Sequence, residues 1–285
     1  MDLTEVLVIG AAGKTGRAVS RALVGRGVTV RAAVRPGSTS PVYAAGQVRA
    51  VPLDLVTGEG LGAAMTGVAG VYHLAPNVHP DEVAMAERVA EAAATEGVSR
   101  FVFHSVLHPD DTSMPHHVRK GKAERAIRAR LETATILRPA AYAQNLESAA
   151  RAGRMGVPYS VDTPFTNVDL EDVAEVAARI LTEEGHAGEA YDLAGPERLS
   201  VRQLAQVASE VLGHPVVAVT QSREDWVAGP GAGLPAQARD DLVAMFRTYD
   251  REGSSETPRP WARCWSASPG PGGKPSVAEL VSSGR

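Results

Sequence analysis

The chain has 285 residues, with 29 Lys plus Arg against 33 Asp plus Glu, a net charge of -4 and 44% hydrophobic residues. At about 100–200 residues per domain, that length closes one large or two modest hydrophobic cores without disulfide staples, and a single cysteine, Cys264, forms no intrachain disulfide. The slightly acidic balance gives no global electrostatic reason to bind nucleic acid or an anionic membrane surface, and no stretch approaches the ~18 apolar residues of a membrane-spanning helix. The acidic start Asp2-Leu3-Thr4-Glu5, with only a short apolar run behind it, lacks the pattern of a signal peptide, so the expectation is a cytoplasmic protein.

Val6-Leu7-Val8-Ile9 is a continuous apolar run, ended by Gly10-Ala11-Ala12-Gly13-Lys14-Thr15-Gly16. Ala18, Val19, Ala22 and Leu23 then recur at helical spacing, so the order is strand, glycine turn, helix. After Gly25-Arg26-Gly27, residues 28–35 read as a second strand closed by Pro36-Gly37, which completes a βαβ unit. Apolar, β-branched runs recur at 48–53, 68–74, 101–106 and 135–137, separated by alanine-rich helical stretches at 81–96 and 118–131. That alternation predicts an α/β fold, a Rossmann-type doubly wound parallel sheet. Residues 1–138 are assigned to this domain, completed by elements returning from the second half. Residues 139–285 are read mostly as a smaller mixed lobe. It holds a less regular portion through Phe165, a helix at 171–182, a short strand at 191–195, a helix at 200–212 capped by Ser200, and a strand at 216–219. Pro, Gly and Ser dominate 254–275, which is expected to be irregular.

The three glycines have a mechanical reading. Gly10 permits a tight exit from the strand, Gly13 lets a pyrophosphate approach the backbone, and Gly16 lets the helix pack closely on the sheet, with the anion at the helix N-terminus. Gly13-Lys14-Thr15 also matches the end of a nucleotide-triphosphate loop, but the first glycine of that motif would fall at Val8, inside the strand. The second strand reports on which dinucleotide binds. An acid there would hold the ribose hydroxyl of NAD, yet no Asp or Glu occurs between Gly16 and Asp54, and the strand ends in Arg35, which suits the 2′-phosphate of NADP.

The chain resembles the NmrA-like branch of the atypical short-chain dehydrogenase/reductases. The likeness rests on the glycine turn at 10–16, Arg35-Pro36, Asp54-Leu55, Ala75-Pro76-Asn77, His104-Ser105, His116-His117-Val118-Arg119-Lys120, the run from Leu137 to Asn145, and Val168-Asp169-Leu170-Glu171-Asp172-Val173-Ala174. The resemblance implies an NADP(H) cofactor held by Gly10, Gly13, Lys14, Thr15, Gly16 and Arg35. It puts Asp54 and Leu55 on the adenine side and Ala75 and Pro76 on the nicotinamide side. Tyr142 and Asn145 would meet a small-molecule substrate. Relatives of this kind include reductases of quinones, dyes and conjugated carbonyls, and also redox-sensing regulators, so an NADPH-dependent reductase and an NADP(H) sensor without turnover both stand.

Within the wider superfamily a serine after the fifth strand precedes a Tyr-x-x-x-Lys helix. Ser105 and Lys120 fit, but the tyrosine position holds His116. Residues four apart share a helix face, so His116 and Lys120 can point into one cleft. There the ammonium would hold the nicotinamide ribose and an imidazolium would donate the proton that follows the hydride. The competing reading makes His116 and His117 the exposed start of a helix after Pro115. No helical His pair with an accompanying Glu or Cys ligand is present, so no metal is expected. The basic residues at 119–130, without aromatic residues among them, read as a solvated helix face rather than a nucleic-acid surface.

Overall fold

The computed structural model describes residues 5–252, so the stretch at 254–275 and Cys264 lie outside the described residues. In chain order the elements are β1 (Glu5–Ile9), α1 (Lys14–Gly25), β2 (Thr29–Val34), β3 (Val48–Pro52), α2 (Leu61–Met65), β4 (Gly70–His73), α3 (Glu82–Thr95), β5 (Arg100–His104), α4 (Pro115–Arg128) and β6 (Thr135–Pro139). A 3-10 turn at Ala143–Asn145 follows, then α5 (Glu147–Arg151), β7 (Arg154–Val157), β8 (Pro164–Thr166), α6 (Leu170–Thr182), β9 (Ala190–Leu193), β10 (Arg198–Ser200), α7 (Val201–Leu212), β11 (Val217–Thr220), α8 (Arg223–Ala228) and α9 (Ala236–Glu252).

Two compact units emerge. The first runs through Thr112, resumes at His116–Pro139 and includes Leu170–Asp192. The second holds Ser113–Pro115, Ala140–Asp169 and the described residues from Leu193 onward.

The first unit is built on a seven-stranded sheet of order β3-β2-β1-β4-β5-β6-β9. Neighbours from β3 to β6 pair in parallel, with Val8 beside Ala32 on one side and Tyr72 on the other. β9 continues the same direction, since Ile136 N–H bonds to Glu189 O and Ala140 N–H to Leu193 O. Strands covered on both faces need apolar residues on both, which is why Val6, Leu7 and Val8 are all fully buried and the run shows no alternation. One face packs under α2, α3 and α4, where Leu7, Met65, Val71, Met85, Phe103 and Ile127 share a core. On the other face α1 lies along α6, tied by ion pairs of Arg21 to Glu171 and of Arg26 to Glu175 and Glu183. The chain order reverses between β1 and β4, and the crevice at the carboxyl ends of the strands there is where such sheets take ligands.

The second unit has its own core, in which Ala150, Met155, Val157, Val161, Leu204 and Ala208 meet. The region read from sequence as irregular through Phe165 contains β7, which pairs in parallel with β11, and β8, which pairs antiparallel with β10. α7 opens with a capping box in which the Ser200 hydroxyl accepts from Gln203 N–H and the Gln203 side chain accepts from Ser200 N–H.

Candidate active site

The exit of β1 shows why three glycines stand where they do. Gly10 has φ +84°, and a Cβ there would lie 2.9 Å from Leu74 O. At Gly16 a Cβ would fall 2.2 Å from Gly10 O and 2.6 Å from Ala11 Cα, so only glycine lets α1 start this close to the turn. Gly13 is different. Its φ of -75° suits any residue, and the nearest atom to an added Cβ is Gly10 O at 3.4 Å. Space beside its Cα is therefore open, as a backbone position approached by a pyrophosphate must be. Gly13 is also the N-cap of α1, with no side-chain cap and no acid in the first turn, so α1 sets no carboxylate of its own against its N-terminal dipole. Thr15 is buried, and burial lowers the pKa of Lys14.

β2 lies beside β1 in parallel, so its exit opens on the same edge of the sheet. Arg35 sits there, exposed, and among the described residues its guanidinium has no partner. Asp54 instead organises its own loop: Oδ1 accepts from Val56 N–H at 2.8 Å and from Thr57 N–H at 3.1 Å. Leu55 and Ala75 both pack into the core of the first unit, while Pro76 is exposed at the exit of β4. Leu55 also presents its carbonyl to Arg88 Nη1 at 2.9 Å.

The exits of β4 and β5 gather buried polar side chains. Lys120, 5% exposed on α4, forms an ion pair with the fully buried Glu82 at 2.5 Å, with angles outside hydrogen-bond geometry. Its Nζ also donates to His104 O at 2.9 Å and lies 5.1 Å from the centre of the Phe103 ring. His73 ends β4, fully buried, with neither ring nitrogen bonded among the described residues. Tyr72 Oη lies 2.5 Å from His104 Nδ1. Burial, reinforced by the Lys120 ammonium, pushes His73, His104 and His116 down to about 3.

His116 and His117 are 8% and 5% exposed, so they are not the exposed start of a helix. Nor is α4 solvated throughout. Lys122 and Arg125 face outward, but Lys120 and Glu124 are buried, because this helix covers the sheet. Burial, with the Lys120 charge beside it, pushes His116 down to about 3, so its imidazole is neutral at neutral pH. Ser105 is near His116 in sequence, but its hydroxyl donates to Glu124, whose carboxylate is also gripped by Arg138 through Nε at 3.0 Å and through Nη2. Sequence reasoning missed Glu82 and the buried role of Glu124. The one available signal for Glu124 was its place four residues after Lys120 on the same helix face.

Tyr142 and Asn145 belong to the second unit, at the start and end of the 3-10 turn, where Tyr142 bridges to Val168. Among the described residues, no three His, Cys, Asp or Glu side chains come together as metal ligands, and no helix is long and apolar enough to cross a membrane.

Residues 3–266 match the model of the NmrA-like family. The chain is 31% identical over 249 residues to the NAD(P)H azoreductase of Xenophilus azovorans, covering 85% of this chain and 86% of that one. It is 26% identical over 251 residues to quinone oxidoreductase 2 of Escherichia coli strain K12, covering 86% of each. Its fold is that of the NADPH-dependent quinone oxidoreductase of Escherichia coli solved with NADPH, with a TM-score of 0.79 at 23% identity over 98% of this chain and 99% of that one. A tight glycine turn after the first strand, on a sheet of this order, thus coincides with a family match running through nearly the whole sequence, and the chain belongs to the NmrA-like family.

Proposed function

We propose that the protein binds NADPH at the exits of β1 and β2 and uses it to reduce a conjugated carbonyl, a quinone or a similar flat organic acceptor. The observation that carries this reading is the pairing, on one sheet edge, of an open glycine turn at a helix whose N-cap has no side chain with an arginine that has no partner among the described residues, where an NAD-specific acid would stand. Names of family relatives, an azoreductase and a quinone oxidoreductase, support the choice of acceptor. Bound there, NADPH supplies a hydride, and a quinone accepting it takes up one proton to become the hydroquinone.

In this reading Gly10, Gly13, Gly16 and the first turn of α1 hold the pyrophosphate, with Lys14 and Thr15 beside it, and Arg35 holds the 2′-phosphate. Asp54 acts through the loop it braces and Leu55 through its main chain, on the adenine side; Ala75 and Pro76 border the nicotinamide. Lys120 holds the nicotinamide ribose, and Tyr142 and Asn145 contact the acceptor. Ser105 acts at one remove, by anchoring Glu124. The neutral His116 serves as a wall, and the proton comes from solvent. The absence of a charged acid at positions 105 and 116 also favours a second reading, an NADP(H) sensor without turnover. Loss of NADPH absorbance with p-benzoquinone and with methyl red as acceptors separates the two. Turnover supports the reductase; tight NADPH binding with no turnover on either acceptor supports the sensor; no binding defeats both.

A further inference from the structure

Glu82 is the most deeply buried carboxylate of the first unit that the reading above leaves without a task. It is fully buried in the first turn of α3, where the helix dipole favours a negative charge. Its ion pair with Lys120 spans two helices that flank the exits of β4 and β5. An ammonium has three N–H groups in fixed tetrahedral directions. In Lys120 one N–H donates to His104 O, the Glu82 carboxylate lies 2.5 Å from Nζ as an ion pair outside hydrogen-bond geometry, and the Phe103 ring lies alongside. The His104 bond fixes the rotation of the ammonium about Cε–Nζ, and so the directions of its other two N–H groups, while the ion pair holds the charge in place.

We infer that Glu82 is a positioning residue: by pairing with the Lys120 ammonium at the carboxyl end of β5, it holds that ammonium in place so that its remaining N–H groups meet the cofactor. The inference rests on the proposed NADPH site and adds to it a residue acting only through Lys120.

The charges around the pair leave Glu82 little competition. His73 on β4, His104 on β5 and His116 on α4 all feel the Lys120 charge and are neutral at pH 7. Glu124, one turn further along α4, is engaged by Arg138 and Ser105. Arg119, next to Lys120 in sequence, acts on His116 as a like charge. Within this pocket Glu82 is thus the anion that offsets Lys120. A buried cation stripped of its counter-ion sheds its proton more readily, by an amount that reaches pH units.

The test is a cycle of Glu82→Gln, Lys120→Met and the double variant, with NADPH binding measured by calorimetry and kcat/KM for p-benzoquinone measured from pH 6 to 10. Glu82→Gln is expected to lower kcat/KM about 10–100-fold and to move the alkaline limb of the profile down by about one pH unit or more, a shift that loosened packing alone does not produce. Lys120→Met is expected to lose at least as much, and adding Glu82→Gln to it should change the rate less than about 2-fold. Glu82→Asp, which keeps the charge one methylene short, should recover part of the rate and of the pH shift, and it decides the matter if Glu82→Gln proves too unstable to assay. Losses that add in the double variant, or a Glu82→Gln profile that superimposes on wild type, overturn the inference. A wild-type protein that binds no NADPH is a different result, since it defeats the underlying site itself.

Discussion

At the exit of β1 the working groups belong to the main chain: a glycine with φ +84°, an open Cα at Gly13, and the N–H groups that start α1. At the exits of β4 and β5, further along the same sheet, they are buried side chains, with the Glu82–Lys120 pair, His73, His104 and His116 within one region. The first arrangement is specified by residues within a seven-residue window, 10–16. The second is assembled from α3, α4 and two strands, and its electrostatics exist only once the chain has folded. The shape of the glycine turn can therefore persist through wide sequence change, whereas the charge balance at the exits of β4 and β5 depends on partners far apart in the chain.

The sharpest way to break the comparison is with acid, because only the side-chain cluster titrates in the relevant range. His73, His104 and His116 sit near 3 in the folded protein against about 6.5 when unfolded. Above pH 6.5 both states hold them neutral and they cost nothing. As pH falls from 6.5 toward 3 the unfolded chain binds protons that the folded one refuses, so stability declines through that window. Between pH 7 and 5 the loss is about 2 kcal/mol per histidine, several kcal/mol in all. Urea melts at the two pH values check this, with His73→Phe removing one share of the dependence. Equal stability at both would mean that the three rings are hydrated rather than buried.

Main-chain specification has its own test in two glycines three residues apart. Gly16→Ala drives a methyl group to 2.2 Å from Gly10 O and 2.6 Å from Ala11 Cα, backbone atoms that cannot swing aside, and should destabilise the fold by about 1–3 kcal/mol. Gly13→Val meets no such clash. Its thermal midpoint should stay near wild type while NADPH binding vanishes, since the branched side chain would fill the proposed pyrophosphate path. A Gly13→Val protein that unfolds would show that the turn is structural; one that still binds NADPH would remove the turn from the site.

These contrasts explain what the sequence could and could not disclose. Residues 6–9 and 101–106 are read as strands because burial on both faces demands unbroken apolar runs, the second ending at His104 in the structure, and the capping box at Ser200 is written in nearby residues. β7, β8 and β10 are three or four residues long and exist through pairing with distant segments, so no local pattern announces them. α9 is an element that a local pattern does announce, since Ala238, Leu242, Phe246 and Tyr249 recur at helical spacing among its charges. Glu82 looks like any acid in a first helical turn. Its burial against Lys120 follows from how α3 and α4 lie on the sheet, which no window of sequence contains.

Arg35 tests a smaller effect on the main-chain side of the comparison. A charge-assisted contact is worth about 1.5–3 kcal/mol, so Arg35→Ala should weaken NADPH binding about 10–100-fold and leave NADH nearly unchanged. Because the guanidinium is exposed and has no partner among the described residues, the melting temperature should not move. Calorimetry with both cofactors decides the matter, and equal losses for the two would detach Arg35 from the 2′-phosphate. Lys14 beside the same turn would blunt the loss by sharing the phosphate.

The smallest expected effect is at His116, and it sharpens the comparison from the side-chain end. A general acid supplies about 10²–10⁴-fold, and an imidazole acting as one needs its proton. With a pKa near 3, held there by burial and by Lys120, about one molecule in 10⁴ carries an imidazolium at pH 7. A donor so rarely charged gives up most of the advantage that a positioned acid offers. His116→Phe should therefore keep kcat/KM for p-benzoquinone within about 3-fold of wild type, and the wild-type profile should show no limb from a histidine between pH 5 and 8. Stability should respond more than rate. Removing this ring also removes its share of the acid sensitivity, so the variant should lose less stability than wild type when the pH is taken from 7 to 5. Stopped-flow mixing with saturating NADPH isolates the hydride step from product release. A loss of 10²-fold or more, together with a wild-type limb near pH 6.5 that disappears in the variant, would mean that NADPH or substrate raises the His116 pKa on binding. The proton would then come from this side chain rather than from solvent, and the cluster at the ends of β4 and β5 would carry chemistry as well as charge.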